Sequence, residues 1–166
     1  VVKSGINVLI LLLLMMFRGL NKICLDTKGR ITFPVRYKES FSLLSSNLLI
    51  CTIDQDHCLL LYPFKYWEQI EKQIMELPTL NPTSRRLQRL MVGHAAELEM
   101  DSNGRILIPK ELRTFAKLRK QVMLVGQGKK FELWNYDDWN KGREKWLSTK
   151  DVDLSNLPSE LGTLSL

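Results

Sequence analysis

Three features of the sequence predict a mainly β protein of the α+β class, with short helices and two pseudo-symmetric modules interleaved into one unit. They are a nine-residue motif that occurs twice, short apolar runs broken by Gly turns, and apolar stripes at helical spacing only in brief stretches. Asp26-Thr27-Lys28-Gly29-Arg30-Ile31-Thr32-Phe33-Pro34 lies 75 residues before Asp101-Ser102-Asn103-Gly104-Arg105-Ile106-Leu107-Ile108-Pro109, with five of nine positions identical. A second echo follows at an offset of 72: Leu61-Tyr62 with Phe64 and Trp67 matches Leu133-Trp134 with Tyr136 and Trp139. Two echoes in one order, slipping by three residues, describe a duplicated module with a shortened loop in the second copy.

The elements follow in order. Val8 to Phe17 is a run of ten apolar residues behind Lys3, too short to span a bilayer, which takes roughly 20. No small-x-small cleavage site follows it, and Met15 and Met16 sit where a start could be. Residues 1–15 are read as an upstream extension or a mis-set start, with a membrane anchor as the competing reading, and stand outside the fold argument. Lys22–Leu25 and Glu97–Met100 lead as strands into Asp-x-x-Gly hairpin turns, where Gly accepts the positive φ required. The strands after the turns, Arg30–Phe33 and Arg105–Ile108, stop at Pro34 and Pro109. Proline suits a helix start, so short helices are expected over 34–41 and 109–116. Strands at Leu48–Ile53 with Cys58–Tyr62, and at Gln121–Val125 with Phe131–Trp134, complete each module, and a helix ends each one. Phe64, Trp67, Ile70 and Ile74 recur at helical spacing in the first of these.

The expected organisation is a first module over 16–80, a linker helix within 81–93, a second module over 94–147 and a tail over 148–166. About 50 residues is little with which to build an independent core, so the two modules are expected to bury their apolar faces against each other.

Composition narrows the function. With 45% hydrophobic and 25% charged residues the chain is neither collagen-like nor long low-complexity disorder. Its formal net charge of +6 makes nucleic acid or an anionic membrane surface the first partners to consider. The charge is also placed: residues 18–38 carry six basic side chains against Asp26, and residues 101–120 carry six against Asp101 and Glu111. Segment 54–77, by contrast, has five acidic and two basic residues. Basic charge therefore gathers at the two hairpins. A hairpin fits the major groove, where arginine grips guanine bidentately, while nearby lysines hold phosphate. Asp26 and Asp101, four residues before each arginine, are placed to hold the guanidinium across the turn.

Other chemistry is poorly represented. His57 and His94 lie far apart without ligand-spaced partners, and no metal is expected. Cys24, Cys51 and Cys58 form neither a disulfide scaffold nor a C-x-x-C pair, which favours a reducing compartment; Cys51 and Cys58 read as small buried hydrophobes. Trp67, Trp134 and Trp139 read as core. Glu97 and Glu99 share one side of a strand with no nucleophile or histidine base nearby. No phosphate-cradling loop, nucleophile elbow or dinucleotide fingerprint occurs, so no enzyme, catalytic residue, cofactor or small-molecule substrate is expected. Arg85, Arg86 and Arg89 on the linker helix allow a phosphate patch, an exposed helix face or a subunit contact.

The repeated Asp-x-x-Gly-Arg-Ile-x-x-Pro hairpin resembles the SpoVT-AbrB module of swapped-hairpin DNA-binding proteins. Two copies joined by Asn81-Pro82-x-x-Arg85-Arg86-x-x-Arg89 are similar to the MraZ family of transcriptional regulators. Met16-Phe17-Arg18-Gly19, Cys51-Thr52-Ile53-Asp54, Gly93-His94-Ala95, Val125-Gly126-Gln127 and Phe131-Glu132-Leu133-Trp134 also fit that pattern, from Met16 to the C-terminus. The resemblance implies a swapped-hairpin AbrB-type β-barrel and a homo-oligomeric ring. It also implies binding to short G-rich direct repeats in the promoter of the division and cell-wall gene cluster, including the protein's own gene. Double-stranded DNA is then the partner, with no membrane, and the location is cytoplasmic and nucleoid-associated. The DNA-binding residues expected are Arg30, Lys28, Arg105, Asn103, Arg18 and Lys22, with Asp26, Gly29, Asp101 and Gly104 setting the turns. The competing reading is a membrane-surface or ring-forming scaffold that reads no sequence.

Overall fold

The computed structural model describes residues 15–148; the extension before Met15 and the tail after Ser148 lie outside the described residues. The chain divides between Tyr136 and Asp137 into two compact units. The first contains strands β1 (Phe17–Cys24), β2 (Arg30–Thr32), β3 (Leu48–Ile53), β4 (Leu59–Pro63), β5 (Ala96–Glu99), β6 (Arg105–Leu107), β7 (Gln121–Gly128) and β8 (Lys130–Asn135). Its helices are α1 (Val35–Ser45), α2 (Phe64–Met75), α3 (Pro82–Leu87), which a π-turn over Gln88–Val92 continues, and α4 (Lys110–Phe115). Helix α5 (Tyr136–Ser148) carries the chain into the second unit, where Trp139 and Trp146 meet edge to face at 5.6 Å.

Helix starts follow the prolines. Pro34, Pro63 and Pro109 occupy the N-cap position with φ between −55° and −53°, one residue earlier than a first-turn proline would sit. Pro82 is inside the first turn of α3, behind Asn81, whose side chain accepts from the Thr83 and Ser84 amides at 2.8 and 3.3 Å. On α2 the buried side chains are Tyr66, Trp67 and Ile74.

The strands pair across the repeats. A six-stranded antiparallel sheet has the order β1-β7-β8-β4-β3-β5, and β2 pairs with β6 in a separate two-stranded sheet. Exchanging the repeats turns that order into its own reverse. Strand β1 of the first repeat lies on β7 of the second, and β5 of the second lies on β3 of the first. In the small sheet Arg30 faces Leu107, Ile31 faces Ile106 and Thr32 faces Arg105, so the pseudo-twofold axis passes between the two isoleucines. Two expectations are corrected here. The Asp-x-x-Gly turns do not close full hairpins: one backbone pair, Asp26 with Arg30 or Asp101 with Arg105, is made before the arms part to different sheets. Nor is there a closed barrel, since the six-stranded sheet is open, with β1 and β5 as its end strands.

The three-residue slip between the echoes divides between two places. Leu49 and Val122, 73 residues apart and both fully buried, hold equivalent positions: Leu49 faces Leu98 and Pro63, and Val122 faces Ile23 and Asn135. Two residues are therefore lost where α4, with 6 residues, replaces α1, with 11. Only the third is lost in the turn between the last two strands, so a shortened loop is a small part of the difference.

The core joins the repeats chemically as well. Phe131 of β8, fully buried, lies 4.4 Å from Phe17, 5.4 Å from Phe33, 4.8 Å from Tyr37 and 5.8 Å from Phe41 between ring centroids. All four neighbours belong to the first repeat. Cys51 and Cys58 are buried, and burial pushes both thiols well above their ordinary value, which keeps them protonated and apolar in character. Phe131→Ala should cost about 3–5 kcal/mol of stability, as large-to-small core changes do. Urea denaturation of the whole chain measures it, and a loss under about 1 kcal/mol would show that the ring cluster does not hold the repeats together.

Candidate nucleic-acid interface

Each motif folds into the same tight turn. The Gly29 amide donates to the Asp26 carbonyl at 3.0 Å and the Asp26 amide to the Arg30 carbonyl at 2.9 Å; the second copy, with Asp101, Gly104 and Arg105, repeats these bonds at 2.9 and 2.9 Å. This is a three-residue loop with the glycine in the left-handed region, φ +86° at Gly29 and +74° at Gly104. Sequence-distant bonds then lock the turns together. The Phe33 amide donates to the Gly104 carbonyl, and the Ile108 amide to the Gly29 carbonyl, both at 2.9 Å.

The aspartate of each turn is fully engaged. Oδ1 of Asp26 accepts from the amides of Lys28 and Arg30, each at 2.9 Å, while Oδ2 accepts from Arg30 Nε at 2.7 Å. Asp101 does the same with Asn103 and Arg105 amides at 2.9 Å and Arg105 Nε at 2.8 Å. The Arg30 amide, and in the second copy the Arg105 amide, is the main cause holding each carboxyl below its ordinary 3.8. The carboxylate thus both builds the turn and grips the guanidinium by its inner nitrogen. Among the described residues neither arginine's Nη1 nor Nη2 has a partner, and the side chains are about one-third exposed, 28% for Arg30 and 35% for Arg105. What remains outward is a planar pair of donors on an immobilised stem. Such a fork matches two acceptors on one edge, as in the guanine O6/N7 pair or a phosphate.

Lys28 and Asn103 occupy the same exposed position of the two turns. Arg18 and Lys22 are not gathered there. They share the exposed face of β1, where Lys22 Nζ lies 4.1 Å from the Tyr136 ring centroid. Two flanking cations were not singled out from the sequence. Each turn is covered by a side chain of the other repeat: a Cβ at Gly29 would lie 2.5 Å from Arg113 Cζ, and one at Gly104 would run into Lys38. Lys38 Nζ also donates to the Asn103 carbonyl at 3.1 Å. Lys38 and Arg113 are themselves 75 residues apart, so the repeat offset was the signal that could have found them.

The remaining candidates have structural places. Arg85 Nη1 donates to the Thr79 and Leu80 carbonyls, both at 3.0 Å, and so clasps the loop before α3; Arg86 and Arg89 are exposed. His94 Nδ1 lies 3.1 and 3.0 Å from the Arg89 and Leu90 carbonyls at the end of the π-turn. His57 has φ +61° in the turn between β3 and β4 and stacks on Phe115 at 5.1 Å. That turn, Asp54 to Cys58, repeats the loop geometry with His57 in the glycine position, but no arginine follows it. Trp67 and Trp134 are buried. Among the described residues no group of three metal-ligating side chains gathers, and no helix is long and apolar enough to cross a membrane.

Gly29→Ala forces a Cβ into the left-handed region and against the Arg113 guanidinium, so it should cost about 1–3 kcal/mol. A urea midpoint equal to that of the unsubstituted protein would mean the turn relaxes freely and holds nothing in place.

Comparison with known proteins gives the family. Residues 16–90 and 91–154 each match the family described as "MraZ protein, putative antitoxin-like". A protein of Coxiella burnetii (strain RSA 493 / Nine Mile phase I) named Transcriptional regulator MraZ is 52% identical over 152 residues, which is 91% of this chain and 100% of that protein. Proteins of the same name from Legionella pneumophila (strain Corby) and Halorhodospira halophila (strain DSM 244 / SL1) are each 46% identical over the same shares. With the family matched in both repeats and relatives aligned over their full length, the chain belongs to the MraZ family.

Proposed function

We propose that this chain is a sequence-specific, DNA-binding transcriptional regulator in which Arg30 and Arg105 read guanine in the major groove. One observation carries the reading. Two arginines, related by a pseudo-twofold axis, are each held at Nε by a carboxylate that their own turn orients, leaving the bidentate end outward. A solvated surface turn has no need of that arrangement twice. The basic surround supports it, and so do relatives that bear the name of a transcriptional regulator.

The finer reading follows the resemblance. The target is a set of short G-rich direct repeats in the promoter of the division and cell-wall genes, including the chain's own gene. Lys28 and Asn103 touch the backbone beside each arginine, and Arg18 and Lys22 extend the contact along β1. The working parts are a first module over 16–80, a linker over 81–93 and a second module over 94–147. Several copies form a ring in the cytoplasm at the nucleoid. A single short box read by one arginine is weakly held, because a good bidentate pair supplies only about 1–3 kcal/mol of discrimination. Linking many turns in one assembly raises the effective concentration of each.

The test is Arg30→Ala and Arg105→Ala, separately. Both arginines are partly exposed and neither belongs to the core, so the thermal transition should move by no more than a few degrees. Preference for the promoter repeats over a scrambled duplex should fall about 5- to 150-fold in each, the equivalent of 1–3 kcal/mol. Variants that unfold, or that keep the full preference, would assign the arginines to the framework.

A further inference from the structure

The two turns look alike, but their surroundings do not. The turn Asp26–Arg30 is overhung by α4 and the segment that follows it, where Lys110, Arg113, Thr114, Lys117, Leu118 and Arg119 line an open groove. Arg113 joins that groove to the turn by lying against Gly29. The Leu25 amide donates to the Lys120 carbonyl at 2.8 Å, which brings a further cation to the base of the same turn. Beside the turn Asp101–Arg105, helix α1 supplies Lys38 at the place of Arg113, but Val35 stands in place of Lys110 and Glu39 in place of Thr114. Arg36, in place of Glu111, is the other basic residue of α1, but it donates to Asn21 Oδ1 at 2.7 Å and the Tyr37 hydroxyl at 2.8 Å; nothing basic follows Lys38 before the helix ends at Ser45.

The difference has a local cause. Helix α4 stops at Phe115, and Lys117 takes a left-handed backbone, φ +51°, which turns the chain out of the helix early. Three bonds fix that turn: the Lys117 amide to the Thr114 carbonyl at 3.1 Å, the Leu118 amide to the Arg113 carbonyl at 2.9 Å, and Asn135 Nδ2 to the Lys117 carbonyl at 2.6 Å. Helix α1 runs on for five more residues and presents Ser42 and Leu43 instead, with Leu44 buried. Lys110, Lys117, Arg119 and Lys120 are exposed, and among the described residues none of them, nor Arg113, is paired with a carboxylate. Glu111 is the acidic side chain on α4, while Asp26 is already taken by Arg30.

We infer that the groove formed by Lys110, Arg113, Lys117 and Arg119 is a DNA-phosphate clamp serving the Asp26–Arg30 turn alone, so that the two reading turns of one chain are unequal. This rests on the proposed DNA-binding function and deepens it. The cations are of one sign, unpaired and mounted on a backbone fixed before the duplex arrives, so little ordering is lost on contact. Phosphates along one strand present acceptors in a row, which a cationic groove beside a base-reading fork can follow. The first turn is thereby anchored and the second relies on Lys38.

The experiment compares three proteins as full chains: the unsubstituted one, the triple variant Lys110→Gln/Lys117→Asn/Arg119→Gln, and Lys38→Gln. Asparagine at 117 tolerates the left-handed backbone, and all three replaced side chains are exposed, so the fold is kept and a matching thermal transition confirms it. Affinity for a promoter-repeat duplex and for a scrambled duplex is measured from low to moderate salt. Each lost phosphate contact lowers the slope of log affinity against log salt by about 0.9. The triple variant should lose about two to three units of slope on both duplexes and keep its ratio between them, while Lys38→Gln loses at most about one. An unchanged slope in the triple variant overturns the clamp and leaves the reading function standing. An equal loss in Lys38→Gln overturns the inequality of the turns. An unsubstituted protein without preference for the repeats, but with a slope that falls in the triple variant, would sink the reading function and support the clamp.

Discussion

A strand of three residues has no stability alone, and both Arg30–Thr32 and Arg105–Leu107 are that short. Each exists because it pairs with the other, Ile31 against Ile106, both buried to within 1%. From this one ladder the rest follows. The chain enters β2 from the second repeat's half of the six-stranded sheet, where β1 lies on β7, and β5 mirrors it on β3. The two turns are brought side by side, close enough for the Gly29 and Gly104 carbonyls to accept from the opposite repeat. Neither repeat buries its own first strand. Exchange solves the shortage of apolar surface that a module of about 50 residues faces, and it places the two arginines under one symmetry axis as a consequence.

The electrostatics of the turns work on the same economy of parts. A carboxylate in a surface turn is usually a solvated charge with little effect on anything. Here each accepts two amides and one guanidinium nitrogen, and those bonds, the arginine amide foremost, favour its ionised form. In the proposed reading the arginine loses its freedom in the free protein rather than on the DNA, which lowers the entropy lost in binding. Local charge then separates the two turns. The early end of α4 turns Lys117 and Arg119 out beside the first turn, whereas α1, after Arg36, Lys38 and Glu39, continues past the second with no further charge. A difference of five residues in helix length, invisible to the repeat motif itself, makes the environments unlike.

Much of this was written in the sequence because the same signal appears twice. The duplicated motif, the strand-ending prolines and the apolar runs gave the mainly β class and the interleaving of repeats. Strand pairing was harder. Asp-x-x-Gly between apolar segments reads as a hairpin, and local pattern cannot show that the arms leave for different sheets after one rung. Strand β1 begins at Phe17, well before the apolar alternation suggests, because Arg18, Gly19 and Asn21 gain their strand conformation from β7 rather than from propensity. The π-turn after α3 has no sequence signature; it is held by tertiary bonds such as Thr52 Oγ1 to the Met91 carbonyl at 2.6 Å. Lys38 and Arg113 belong to the basic clusters around the two motifs, but their place over the turns is not legible there for a related reason. Their role as covers of the turns depends on contacts across the repeats, and only the offset of 75 residues hints at it.

In the proposed reading two aspartate-held arginines meet guanine edges from the major groove. Protection of guanine N7 from dimethyl sulfate on the promoter repeats tests it most directly, because N7 lies in the major groove and adenine N3, the second site of methylation, lies in the minor groove. The unsubstituted chain should protect guanine N7 within each repeat, and that protection should be lost when Arg30 and Arg105 are both replaced by alanine, with adenine N3 reactivity unchanged throughout. Protection confined to adenine N3, or guanine protection that survives in the double variant, would contradict it.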